Sequence, residues 1–263
     1  MAARRQKILV LGGTTEARRL AEALAKAPGI DAVLSYAGRT ENPIAVPVPW
    51  RVGGFGGVPG LIDYLRAETI DRVVDATHPF AAQMSGNAVA ACAATKTPLV
   101  ALERAPWRPE KGDHWIEVDT LEDAVAAVGE APRRVFLGIG RLHLDAFVQK
   151  PQHHYLIRLV DAPRENLPLP NVAVVVARGP FDVDGDRALM QQHGSELVVS
   201  KNAGGTAAVA KLLAARDLGL PVVMVRRPKI PQRPTVETVA AVLAWLAGGG
   251  VHDAASAGAE RGV

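Results

Sequence analysis

The sequence predicts an α/β protein made of two Rossmann-like domains, each a largely parallel sheet flanked by helices. Three observations carry this. The apolar run Ile8–Leu11 passes through Gly12-Gly13-Thr14-Thr15 into a stretch where Ala17, Leu20, Ala21 and Leu24 recur at helical spacing. A second glycine turn, Gly138-Ile139-Gly140, follows another short apolar run. Strand-like and helix-like segments then alternate nearly to the C-terminus, the pattern of βα units.

In the first half, Ile8–Leu11 has the length of a buried parallel strand. Ala32–Tyr36 reads as a second strand and Val73–Ala76 as a third. An Ala-rich helical segment around Ala88–Ala94 and the short strand Leu99–Ala101 follow. Between them, Gly53–Gly60 reads either as a lid or as a rigid glycine-rich bend. From Arg104 to Asp113 the pattern breaks into Pro, Trp and charge, which predicts a boundary: a nucleotide-binding domain over 1–114 and a second domain over 115–247.

The second half opens with a possible strand at Trp115–Val118 and a helix over Asp119–Val128, followed by a strand at Val135–Leu137. Further strands are expected around Tyr155–Leu159, Val172–Val176, Glu196–Val199 and Pro221–Val225. Helices are expected near Arg187–His193, Thr206–Leu218 and Val236–Leu246. The Gly- and Ala-rich tail 248–263 offers no packing face and reads as disordered.

Composition excludes several classes. The balance of 30 Lys and Arg against 27 Asp and Glu gives +3, too even for a nucleic-acid binder, and no RNA-binding motif is present. No apolar run reaches about 18 residues and no signal-peptide pattern opens the chain, so a cytoplasmic protein without membrane contact is expected. The single cysteine, Cys92, rules out an internal disulfide and reads as helix packing. The histidines are scattered, or adjacent as in His153-His154, so no metal site is expected.

Chemistry concentrates in the turns. Gly12 and Gly13 can adopt dihedrals closed to other residues, Thr14 or Thr15 can cap the helix, and its first amides favour an anion. The alternative is a tight connection in an ordinary α/β protein. At the end of the second strand a Rossmann unit meets the adenosine ribose, and an NAD site there calls for a carboxylate. This chain instead offers Ser35, Arg39 and Thr40, which suit a 2′-phosphate and so NADP; Arg39 as a solvated loop charge is the competing reading.

A second cradle, Lys201-Asn202-Ala203-Gly204-Gly205, sits between a strand and a helix and combines a cation with backbone donors. It lacks Walker A order. Asp75-Ala76-Thr77-His78 follows a strand at its carboxyl end, where open α/β sheets bind ligands; His78 there either donates a hydrogen bond or proton, or is a loop residue.

Taken in order, Gly12–Ala17, Arg51–Gly57, Asp75–Ala81, Glu103–Trp107, Ala177–Phe181, Lys201–Gly205 and Arg226–Pro228 resemble the precorrin-6A reductases of cobalamin biosynthesis. Ala203 stands where Ser is common in that family, which removes one hydroxyl and leaves the turn intact. The resemblance implies an NADPH-dependent enzyme, with the cofactor in a cleft between two domains, that reduces a ring double bond of precorrin-6A to give precorrin-6B. The metal-free macrocycle is favoured over its cobalt form. A different NADP-dependent oxidoreductase acting on a small carbonyl, and a non-catalytic NADPH-binding regulator, stay open.

The resemblance also distributes roles. Gly12, Gly13, Thr14 and Glu16, with Arg39, Lys201, Gly204 and Gly205, would hold the cofactor; Glu16 would accept from a ribose hydroxyl or a backbone N–H. Thr77 and His78 would lie near the nicotinamide or the macrocycle. The substrate is an anionic tetrapyrrole, whose carboxylates Arg can grip through paired hydrogen bonds. Arg104, Arg178 and Arg226 are the candidates, with Lys201 shared, and surface ion pairing is the alternative for all four. Transient contact with neighbouring pathway enzymes is a further expectation.

Overall fold

The computed structural model describes residues 4–37, 45–177, 179 and 181–248. Arg39, Arg178 and the tail from 249 therefore lie outside the described residues. The chain divides into two units, one of residues 1–104 with 229–263 and one of residues 105–228. This differs from the boundary read at 114/115, and the C-terminal segment read as the end of the second domain returns to the first.

The first unit begins with β1 (Gln6–Leu11), α1 (Thr15–Leu24), β2 (Ile30–Tyr36) and β3 (Trp50–Val52). It continues through α2 (Gly57–Ala67), β4 (Arg72–Asp75), α3 (Ala82–Thr95) and β5 (Leu99–Leu102). β1 is buried on both faces because its side chains alternate between two helical layers. Ile8 and Val10 pack with Ala17 and Leu20 of α1, whereas Leu9 and Leu11 pack with Leu61 of α2 and Ala88 of α3. Each such fully buried aliphatic side chain contributes about 1.5–3 kcal/mol.

The second unit runs through β6 (His114–Val118), α4 (Leu121–Val128), β7 (Arg134–Gly138) and a 3-10 helix over Arg141–Gln149. β8 (His154–Leu159), β9 (Val172–Val176), α5 (Val183–His193), β10 (Leu197–Lys201), α6 (Ala210–Asp217) and β11 (Pro221–Val225) complete it. The chain then supplies β12 (Thr235–Val236) and α7 (Val239–Leu246) to the first unit. β12 pairs with β5, and Val242, Trp245 and Leu246 of α7 join the cluster beneath α1. α7 is almost entirely apolar, so it needs a sheet face, and Arg72 fixes it by donating to the Trp245 carbonyl at 2.9 Å.

The first sheet has the order β12-β5-β4-β1-β2-β3 and the second β6-β11-β10-β7-β8-β9. Every described strand pairing is parallel. In each sheet the order reverses beside the strand that precedes a glycine turn: between β1 and β4 in the first, between β7 and β10 in the second. Ligands of open α/β sheets bind in the crevice at the carboxyl ends of such strands. Both sequence-predicted cradles therefore sit at topological switch points.

Gly53–Gly60 is a bend that runs into α2. A Cβ on Gly60 would lie 1.7 Å from the Phe55 carbonyl oxygen, so the bend closes only around glycine. Cys92 is buried, and burial together with the nearby Asp75 charge pushes its thiol up to about 12, which suits packing and not nucleophilic chemistry. Among the described residues no helix is long and apolar enough to cross a membrane.

Candidate active site

At the first switch point the two glycines have separate tasks. The Gly12 N–H donates to the Ser35 carbonyl at 2.9 Å, which extends the β1–β2 ladder by one bond. A Cβ at Gly12 would come 2.6 Å from Leu34 Cδ1, so this glycine permits close strand packing and supplies no anion donor. Gly13 takes φ +126°, which turns the chain into α1. Thr14 caps that helix: its Oγ1 accepts from the Ala17 N–H at 3.1 Å and donates to the Ala76 carbonyl at 2.8 Å. The amides that precede Ala17 lie before the intrahelical ladder, with the positive end of the helix dipole behind them.

The Thr14–Ala76 bond ties this turn to the segment after β4. There Asp75, almost wholly buried, accepts from the Thr77 N–H at 3.2 Å and from Thr77 Oγ1 at 2.7 Å. Nδ1 of His78 accepts from the Phe80 N–H at 3.2 Å, so a neutral ring carries its proton on Nε2. Arg104, just past β5, donates to Glu16 Oε2 at 2.6 Å, and both side chains are largely covered. Thr14, Glu16, Thr77, Pro79, Leu102, Glu103 and Arg104 surround one small depression. Thr14, Glu16, Thr77 and Arg104, chosen from three separate sequence segments, are thus brought together, with Gly12, Gly13 and His78 next to them in the chain.

A charged cluster of three residues escaped the sequence reading. Arg233, nine-tenths buried, places Nε 3.4 Å from Asp75 Oδ2 and Nη2 3.0 Å from Glu103 Oε2. Buried carboxylates need such partners. Arg233 lies 158 positions beyond Asp75 in a Pro-rich stretch without periodicity, and only the return of β12 to the first sheet brings it back.

In the second unit Lys201 ends β10, and the turn that follows is held from within. Asn202 Oδ1 accepts from the Trp107 N–H at 2.8 Å while Nδ2 donates to the Trp107 carbonyl at 2.9 Å. The Trp107 indole donates to the Gly205 carbonyl at 2.7 Å, and Arg227 donates to the carbonyls of Asn202 and Ala203. A Cβ on Gly204, at φ +69°, would sit 2.2 Å from the Ala105 carbonyl oxygen. Gly204 is therefore required by packing as well as by turn geometry.

Arg226 is exposed and meets Glu117 at 3.3 Å and Asp119 at 3.0 Å, the surface pairing weighed against it. Its neighbour Arg227 is the arginine that shapes the turn. The segment containing Arg178 leads to Phe181, whose ring lies 3.4 Å under the Arg158 guanidinium. Arg158 in turn pairs with buried Asp186, and these residues border a cavity of about 250 Å³. No periodicity singled out Arg158, Asn202 or Trp107; the tryptophan beside Pro106 was visible only as part of a motif.

Strand order, switch-point turns and a charged depression at the carboxyl ends of β1 and β4 define an α/β enzyme of the Rossmann type. A family model described as "Precorrin-6x reductase CbiJ/CobK" matches residues 7–247. The Precorrin-6A reductase of Rhodobacter capsulatus is 58% identical over 241 residues, 92% of this chain and 96% of that one. The Cobalt-precorrin-6A reductase of Priestia megaterium is 33% identical over 237 residues, 85% of this chain and 91% of that one. A solved structure titled "CobK precorrin-6A reductase" superposes with TM-score 0.89 at 56% identity, covering 95% of this chain and 99% of that one. The chain belongs to the precorrin-6x reductase family, NADPH-linked oxidoreductases of corrin biosynthesis.

Proposed function

We propose that this chain reduces a ring double bond of precorrin-6A to give precorrin-6B, with NADPH held at the first switch point. The observation that carries the placement is the Gly13–Glu16 turn, where a positive-φ glycine, a capped helix start and first-turn amides face the carboxyl-end crevice. Such a turn fits a pyrophosphate. Bound there, the dihydronicotinamide supplies the hydride, and the protein's task is orientation and charge management.

Thr77 is held rigidly by Asp75, and His78 is oriented by Phe80, so both can present polar groups to the reacting rings without searching for a rotamer. His78 serves as a hydrogen-bond donor from Nε2. Arg104 grips an acetate or propionate arm of the macrocycle after exchanging Glu16, which is then available to accept from a ribose hydroxyl. Lys201 and Arg226 are further carboxylate contacts, although Arg226 must first leave Glu117 and Asp119. Gly204 and Gly205 shape the turn that carries Lys201. Arg178 keeps the role suggested by the sequence, on a substrate arm, and for the 2′-phosphate the sequence suggests Arg39.

The greater identity to a relative named for precorrin-6A than to one named for the cobalt form supports the metal-free macrocycle as substrate. The deciding experiment follows NADPH absorbance with purified protein in the presence of precorrin-6A, of its cobalt form, and of small carbonyls. Oxidation only with precorrin-6A is expected. Oxidation with simple carbonyls, or none with any substrate, would overturn the reading.

A further inference from the structure

We propose that Arg51 of β3, together with Ser35 of β2, forms the pocket for the adenosine 2′-phosphate and so selects NADPH over NADH. This rests on the placement of the nucleotide at the first glycine turn. Ser35 and Arg51 are register partners in neighbouring parallel strands, and the Ser35 carbonyl accepts from Gly12. The pair therefore lies beside the turn, at the strand end where a Rossmann unit meets the ribose.

The arginine is anchored in place. Nη1 donates to Ser35 Oγ at 2.8 Å and to the Gly53 carbonyl at 3.0 Å, and Nη2 donates to the Gly54 carbonyl at 3.1 Å. Its guanidinium carbon lies 4.1 Å from the centre of the Phe55 ring and 5.3 Å from that of Tyr64, rings that meet edge to face. The Phe55 backbone in turn packs directly against Gly60, where a Cβ would meet its carbonyl oxygen. A guanidinium has five N–H donors, so Nε and one Nη2 N–H remain without a hydrogen-bond partner among the described residues.

Arg51, like Arg72, is held by backbone carbonyls and aromatic rings and not by a carboxylate, and of the two it is Arg51 that lies at the strand end beside the glycine turn. Arg104, Arg158, Arg216 and Arg233 each meet a carboxylate, whereas no described carboxylate lies within ion-pair distance of Arg51. Carbonyl dipoles orient the cation without neutralising it. A half-buried, pre-oriented guanidinium with two donors in hand is matched by a phosphate monoester, which takes paired charge-assisted bonds. The Ser35 hydroxyl, accepting from Nη1, still has its own proton to donate.

The test measures binding of 2′,5′-ADP and of 5′-ADP by calorimetry to the whole protein and to Arg51→Ala, Arg51→Gln and Arg39→Ala variants. Both Arg51 variants should weaken 2′,5′-ADP roughly ten- to hundredfold, as expected for lost charge-assisted bonds, and leave 5′-ADP unchanged. Arg51→Gln retains amide donors for the Gly53 and Gly54 carbonyls, and thermal melts establish that the variants are folded. If they are not, the unaltered protein decides: its preference for 2′,5′-ADP should shrink as salt is raised, and a salt-independent preference would overturn the proposal. Equal weakening of both ligands, or loss of preference in Arg39→Ala alone, would overturn the Arg51 assignment and leave the nucleotide site standing. Failure of the unaltered protein to bind either ligand would instead remove the nucleotide site itself.

Discussion

Arg104 Nη1 lies 2.6 Å from Glu16 Oε2, joining the end of β5 to the first turn of α1 across the carboxyl edge of the first sheet. The pair neutralises a carboxylate that, in the proposed site, would otherwise face the pyrophosphate. In the proposed site it would also pre-position an arginine for an anionic substrate arm.

Replacing Arg104 by Ala should raise the KM for precorrin-6A at least about tenfold, the scale of a lost charge-assisted contact, with Arg104→Lys recovering part of it. Because both side chains are largely covered, leaving Glu16 without this partner should also cost about 1–3 kcal/mol of stability. Steady-state kinetics alongside urea melts separate the two effects. An unchanged KM would take Arg104 out of substrate binding.

His78→Asn is expected to retain most turnover, since an amide can still donate a hydrogen bond. A fall in kcat of about 10²-fold or more, the scale of acid-base catalysis, would show that the ring transfers a proton.

Asn202→Ala removes both side-chain hydrogen bonds to the Trp107 backbone and leaves its N–H and C=O without those partners. The expected cost is about 2 kcal/mol of unfolding free energy, read from denaturant curves. Gly204→Ala should cost more, because its methyl meets the Ala105 carbonyl in a left-handed backbone conformation. If both variants matched the parent, the turn would not be held as described.

His153 is wholly buried, with Nδ1 accepting from Arg133 N–H and Nε2 near the Gly129 carbonyl. Burial holds its pKa below the ordinary 6.5. The unfolded chain then binds the proton first as pH falls, so this histidine leaves stability intact above about pH 6.5 and lowers it below, by up to about 1.4 kcal/mol per pH unit. Melts at descending pH should show the decline, shallower in His153→Gln.

Much of this architecture was legible because it is local. β1, its glycine turn and α1 announce themselves by apolar runs, helical spacing and a capping threonine within about twenty residues, and the same logic located β7, β10 and β11. What escaped is long-range. β3 is three residues with two exposed, and β12 is two residues, too short for any periodic signal, although β12 redraws the domain boundary and delivers Arg233 to Asp75. For the site, residue types were readable but partners were not: Gly12 serves Leu34, Gly204 serves Ala105, and Arg227 does the structural work beside Arg226.

The most direct test of the account is a crystal structure with NADP⁺ bound. The pyrophosphate is expected on the amides of Gly13–Glu16, with the nicotinamide toward Thr77 and His78. Nucleotide bound elsewhere, with that turn closed against the core, would contradict it.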